Sequence, residues 1–112
     1  MESQTVEHKK TFGKEVIISL VAFANAEGGK VIVGVDDLGI PCGVENGPET
    51  VQRHLNEIKV STYPQIIPKV LIEQREGKQV LVFEISEFPV KPVSYKNASD
   101  IVIKIFDDRI VF

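Results

Sequence analysis

Residues 14–35 constrain the fold most. "KEVIISLVAFANAEGGKVIVGV" sets an apolar helical pattern, two glycines and a β-branched run side by side. Val16, Ile17, Leu20, Val21, Phe23 and Ala24 recur at helical spacing over a broad face, so a helix over Lys14–Ala26 must be largely buried. Gly28 and Gly29 can end that helix in a left-handed residue and return the chain at close range. "KVIVGV" then suits a central strand covered on at least one face. With 112 residues, the chain has room for one domain with a two-layer core around this pair.

The flanking pattern completes the prediction. "SQTVEHK" alternates weakly and reads as a short first strand, with Val6 inward and Thr5 and Glu7 outward. After the central strand, "DDLG" turns the chain at Gly39, and "IPCGV" returns as a partner strand. Pro41 places that strand near an edge, and Cys42 reads as small packing. Pro48 opens a second helix in "ETVQRHLNEIKVS", with a stripe of Val51, Leu55 and Ile58 and an exposed His54. Pro64 and Pro68 follow it and lead into a new strand. "KVLIEQREGKQVLVFEI" is a hairpin turning at "REGK", and "PVKPVSY" is extended. In the last strand, "DIVIKIF", Ile101, Ile103 and Ile105 oppose Val102, Lys104 and Phe106. The predicted order is β-α-β-β-α-β-β-β, an α+β fold in which two helices pack on one mostly antiparallel sheet of about six strands.

Charge and cysteine content limit the function. Thirteen basic residues against 16 acidic ones leave a net charge of -3, so contact with a polyanion requires the cations to gather on one face. No apolar run reaches the roughly 18 residues of a membrane span. A single cysteine excludes an internal disulfide and fits a reducing cytoplasm. The abrupt end on "DDRIVF" is read as the close of one domain, residues 1–112, at the front of a longer protein.

Two groups of residues stand out. Asn25, Gly28, Gly29, Gly34 and Gly39 form a structural joint. In that joint the Asn25 amide is expected to bond the glycine backbone, and Gly34 to clear space for helix packing across the sheet. Lys9, Lys10 and Lys14, with His8, surround the first strand-to-helix junction, while Lys91 and Lys96 lie on the proline-rich segment. Were these five lysines to converge, they would form a positive patch on an acidic molecule. Tyr63 and Tyr95 are the polar aromatics available for base stacking, too few to favour base reading over backbone contact. No metal-ligand spacing connects His54 with His8 or Cys42.

"ESQTVEHK", "AFANAEGGKVIVGVDDLGIPCGV", "IIPKV…GKQVLVFEI" and "KPVSYK", in that order, resemble the Schlafen AlbA-like domain from Glu2 to Lys96. The resemblance implies a DNA-binding domain, found as the N-terminal module of bacterial and archaeal transcriptional regulators and as the core of animal Schlafen proteins. For Schlafen proteins that cleave structured RNA, it implies a metal site of two glutamates and a downstream aspartate. The matching positions are Glu2, Glu7 and Asp36 or Asp37, a set able to hold Mg²⁺ or Mn²⁺. Against this, Glu2 and Glu7 are five residues apart and point to opposite faces of a regular strand, and Asp36 and Asp37 suit turn capping. The chain departs from the family pattern at His8, where an aromatic is usual, and in "DIVIKIFDDRIVF", which lacks the usual glycine-serine turn. The leading expectation is a noncatalytic, cofactor-free nucleic-acid-binding module of a transcriptional regulator, with DNA as partner and no membrane association. The alternatives are a metal-dependent endoribonuclease and an interaction domain that oligomerises through its edge strands.

Overall fold

The computed structural model describes residues 6–96 together with the backbone of Val102–Phe106 and Arg109–Val111. Glu2, Thr5 and the side-chain alternation expected over residues 101–106 lie outside the described residues. In chain order the elements are β1 (Val6–Lys9), α1 (Lys14–Asn25), β2 (Gly29–Val33), α2 (Pro48–Val60), β3 (Thr62–Tyr63), β4 (Lys69–Arg75), β5 (Lys78–Ile85), β6 (Ser94–Lys96), β7 (Val102–Phe106) and β8 (Arg109–Val111). The α+β class, the two helices and the mostly antiparallel pairing agree with the sequence reading. The single sheet does not, because the strands form two sheets, ordered β1-β2-β5-β4 and β3-β6-β7-β8. Only the β1–β2 pair is parallel among the described pairings.

The second sheet follows from α1. Every residue from Leu20 to Asn25 is buried, so the helix is apolar on all sides and one sheet cannot cover it. It contacts β2 and β5 of the first sheet and β6 and β7 of the second. The core is therefore three layers, sheet, helix and sheet, not the two expected. Val31, Val33, Leu81, Phe83 and Ile85 face α1, while Ile32, Val35, Val80 and Val82 form a smaller cluster of their own.

Asn25 ties the end of α1 to the approach to β6. Its Nδ2 donates to the Val93 carbonyl at 3.0 Å, and its Oδ1 accepts from the Val93 N–H at 2.7 Å. In place of the glycine backbone expected as its partner, the amide satisfies both groups of one residue 68 positions away. At the helix-strand joint, Gly28 has φ +88°, and a Cβ there would lie 2.7 Å from the Ile85 carbonyl oxygen. The glycine reading therefore holds at Gly28, where both the left-handed backbone and the contact with β5 exclude a side chain. Gly29 is buried at the start of β2. Gly34, just past the end of β2, makes room for the side chains of Val44 and Val80, not for helix packing.

Four further local expectations are corrected. The parallel register sets Glu7 beside Val31 on the α1-facing side, so Val6 points away and is 42% exposed. An edge strand allows this, since Glu7 can reach solvent past the helix. "IPCGV" forms no strand beyond a single bridge between Val35 and Pro41. Pro41 lacks an N–H, and the Cys42 and Gly43 N–H groups both donate to the Gly34 carbonyl before Val44 bonds Gln79 on β5. Cys42 is accordingly exposed instead of packed. His54 is not exposed, because its ring stacks on Phe12 with centroids 3.9 Å apart and lies tilted against Phe83, docking α2 on the first sheet. Among the described residues no helix is long and apolar enough to cross a membrane.

Asn25→Ala strips both partners from the buried Val93 peptide groups and is expected to lower the unfolding free energy by about 2–4 kcal/mol, read from urea midpoints. Burial, then Arg53, lower the His54 pKa from its ordinary 6.5. The folded protein therefore favours neutral His54, and the unfolded chain binds more protons. The stability from His54 is complete above 6.5 and falls away as pH drops through the lower folded-state value. Thermal melts at about pH 7.5 and about pH 5.5 should show a smaller acid-induced loss in His54→Phe than in the parent.

Candidate functional site

Lys9, Lys10 and Lys14 are brought together by the short connection between β1 and α1. Lys9 ends β1, and its carbonyl accepts the N–H groups of Gly34 and Val35 at 2.8 and 3.1 Å, fixing this corner to the end of β2. Lys10 and Thr11 are exposed, and Phe12 then turns inward onto His54 and Phe83. The aromatic anchor holds the connection to the protein while its polar residues face water. Gly13 is the N-cap, in an extended conformation with no side-chain cap, and Lys14 is the first helical residue. A lysine in a first turn opposes the helix dipole, which Glu15 partly offsets. Such a cost suits an anion-facing corner better than a purely structural one. Among the described residues Lys9, Lys10 and Lys14 belong to no ion pair.

Lys91 lies at the other end of α1. Lys91 forms an ion pair with Glu87, on a loop that Phe88 and Val93 bond to the C-terminal end of α1. The 12-residue helix puts about 17 Å of axial rise between that end and Lys14. Lys96 ends β6, half-buried, with its N–H on the Ser61 carbonyl. Lys10 and Lys14 are thus exposed and Lys9 half-buried at one end of α1, while Lys91 lies at its other end. Of the aromatic candidates, Tyr63 is exposed, whereas Tyr95 packs against the core. His54 and Phe12, which secure the cluster, were missed as a pair because no sequence spacing connects residues on different elements.

Among the described carboxylates, Asp36 has a structural role. Asp36 Oδ1 accepts the N–H groups of Leu38 and Ile40, each at 2.9 Å, and the Asp36 carbonyl accepts from Gly39, whose φ is +83°. That is the turn-capping role of an aspartate. Glu7 faces α1 beside Val31, while the Asp36 turn lies beyond β2 and brings Gly39 toward His8, on the other side of β1. Asp37 is exposed in the same turn. Among the described residues no three His, Cys, Asp or Glu side chains group as metal ligands, and Glu2 lies outside them.

The model of the family described as "Schlafen, AlbA_2" matches residues 2–109. No curated protein matches the chain. Among solved structures, the N-terminal domain of a putative ATP-dependent DNA helicase RecG-related protein from Nitrosomonas europaea is similar at 32% identity and a TM-score of 0.71, over 87% of this chain and 73% of that one. The DIP2311 protein from Corynebacterium diphtheriae shares the fold with a TM-score of 0.71 at 20% identity. The match covers 96% of this chain but only 22% of the Corynebacterium protein.

Asp36→Ala removes both side-chain bonds of the turn and is expected to lower stability by about 1 kcal/mol, whereas Asp36→Asn, which keeps an accepting oxygen, should cost about half of that or less. Thermal melts of the two variants beside the parent provide the measurement.

Proposed function

The chain belongs to the Schlafen AlbA_2 family, and we propose that it is a noncatalytic nucleic-acid-binding module that grips duplex DNA by its phosphates. One observation carries the reading: Lys9, Lys10 and Lys14 fall within six residues at the start of α1, with Lys10 and Lys14 exposed and Lys9 half-buried, where the uncapped N-terminus of α1 also favours anions. On a chain of net charge -3, such a concentration of cations, in no ion pair among the described residues, gives a local attraction that the total charge conceals. The name of the Nitrosomonas relative, which refers to a DNA helicase, supports a nucleic-acid setting. The scarcity of exposed aromatics beside the clustered lysines favours phosphate contact over base reading. We further propose a transcriptional regulator as the setting, with this domain at its front and the cytoplasm as its compartment. The small share of the Corynebacterium protein that the chain spans is compatible with a module inside a longer protein.

Duplex DNA titrated at several salt concentrations tests the proposal. Three phosphate contacts correspond to a log–log salt slope of about -2.7, or about a 40-fold loss of affinity between about 50 mM and about 200 mM salt. Replacing Lys9, Lys10 and Lys14 together by Gln should abolish most of that slope. Lys91→Gln, which removes a lysine already paired with Glu87, should leave it unchanged. Undetectable binding at low salt, or a triple variant that binds like the parent, overturns the reading.

A further inference from the structure

The β4 strand is an outer strand of the first sheet and the longest edge among the described strands. It pairs with β5 at every residue from Lys69↔Glu84 to Arg75↔Lys78, without a bulge, and contains no proline. Leu71 is 39% exposed and Ile72 is 54% exposed, on opposite faces of the strand. A straight, apolar edge of this kind offers its free backbone groups to another strand unless something blunts it. Here the charges do not blunt it in every register, and they select one.

We propose that β4 pairs antiparallel with β4 of a second copy of this chain, about a two-fold axis at Leu71. Opposed residues in a sheet share a face, so Lys69, Leu71, Glu73 and Arg75 meet only one another across the axis, as do Val70 and Ile72. With the axis at Leu71, Lys69 of each copy faces Glu73 of the other, Val70 faces Ile72, and the two Leu71 side chains meet. Glu73 already holds Arg75 of its own strand at 2.8 Å, and a carboxylate has acceptor sites for both cations. With the axis at Ile72, Lys69 faces Arg75 twice, and with the axis at Glu73 two glutamates collide. An axis at Val70 sets Lys69 against Leu71 and leaves both ammonium groups without a counter-charge. Directly opposed unlike charges stabilise a strand pair and like charges destabilise it, so the Leu71 register is favoured. The contact is isologous and closes as a dimer, joining two four-stranded sheets into one of eight strands. It uses none of the lysines at the start of α1 and stands independently of the nucleic-acid reading.

Sedimentation equilibrium of the full chain from about 1 µM to about 500 µM tests the pairing. The parent should show a concentration-dependent dimer. Lys69→Glu sets two carboxylates against each other across the axis, and Glu73→Lys sets two ammonium groups together, so each single reversal should weaken dimerisation by about 10-fold or more. The double exchange K69E/E73K restores opposed charges and should return the dissociation constant to within about threefold of the parent. Should either reversal fail to fold, as read by circular dichroism, Lys69→Gln takes its place and should weaken the dimer in the same direction. A parent that stays monomeric across the range, a dimer insensitive to the reversals, or a double exchange as weak as the singles overturns the proposal.

Discussion

The fold depends on covering a helix that has no polar side. From Leu20 to Asn25 every residue of α1 is withdrawn from water, so the helix can exist only between two apolar surfaces. The first sheet supplies one through Val31, Val33, Leu81 and Phe83, and the second sheet closes the other side. Asn25 is the polar group that this arrangement forces inside. Its amide matches a peptide unit in shape and hydrogen-bonding pattern, and it pairs both backbone groups of Val93. Leaving those groups unpaired in a dry core would cost more than the bonds gain in water, so the clamp sets the position of the second sheet as well as satisfying the amide.

The two ends of α1 then acquire different characters. At the C-terminal end, Asn25, the bond from Phe88 to the Ala24 carbonyl and the approach of Gly28 to Ile85 lock the backbone tightly against the loops. Lys91 stands at that end and is neutralised by Glu87. At the N-terminal end the Lys9 carbonyl is bonded to the end of β2 and Phe12 stacks on His54, while Lys10 and Thr11 between them face solvent. An anchored aromatic between lysines gives a corner that is fixed in place while Lys10 and Lys14 stay exposed. The same stack couples the corner to α2, so the protonation state of His54 and the seating of the lysines share one contact.

The adjacent aspartates show how a motif that could suit metal chemistry also carries a structural role. The Asp36 carboxylate is occupied by the turn that follows β2, and Glu7 is directed to the helix side of β1. A similar economy appears at Gly34, where a missing side chain admits Val44 instead of a ligand.

Much of this was legible in the sequence where the signal is local. The buried helix, the hairpin closed by Glu76 and Gly77 in left-handed conformations, Pro48 at the start of α2 and the glycine at the helix-strand joint all follow from residue spacing and backbone stereochemistry, which neighbours along the chain determine. The grouping of Lys9, Lys10 and Lys14 was equally visible, because a short connection cannot separate them. What only the tertiary structure decided are the matters that depend on partners distant in sequence. These include the division of the strands into two sheets, the face on which Glu7 lies, the choice of Val93 as partner for Asn25, the stacking of His54 on Phe12, and the pairing of Lys91 with Glu87. Periodicity states that a residue has an apolar or polar side. It does not state which surface that side meets, because that choice is made by packing a helix apolar all round, and the free energy of that packing belongs to the assembled core and not to any segment of it.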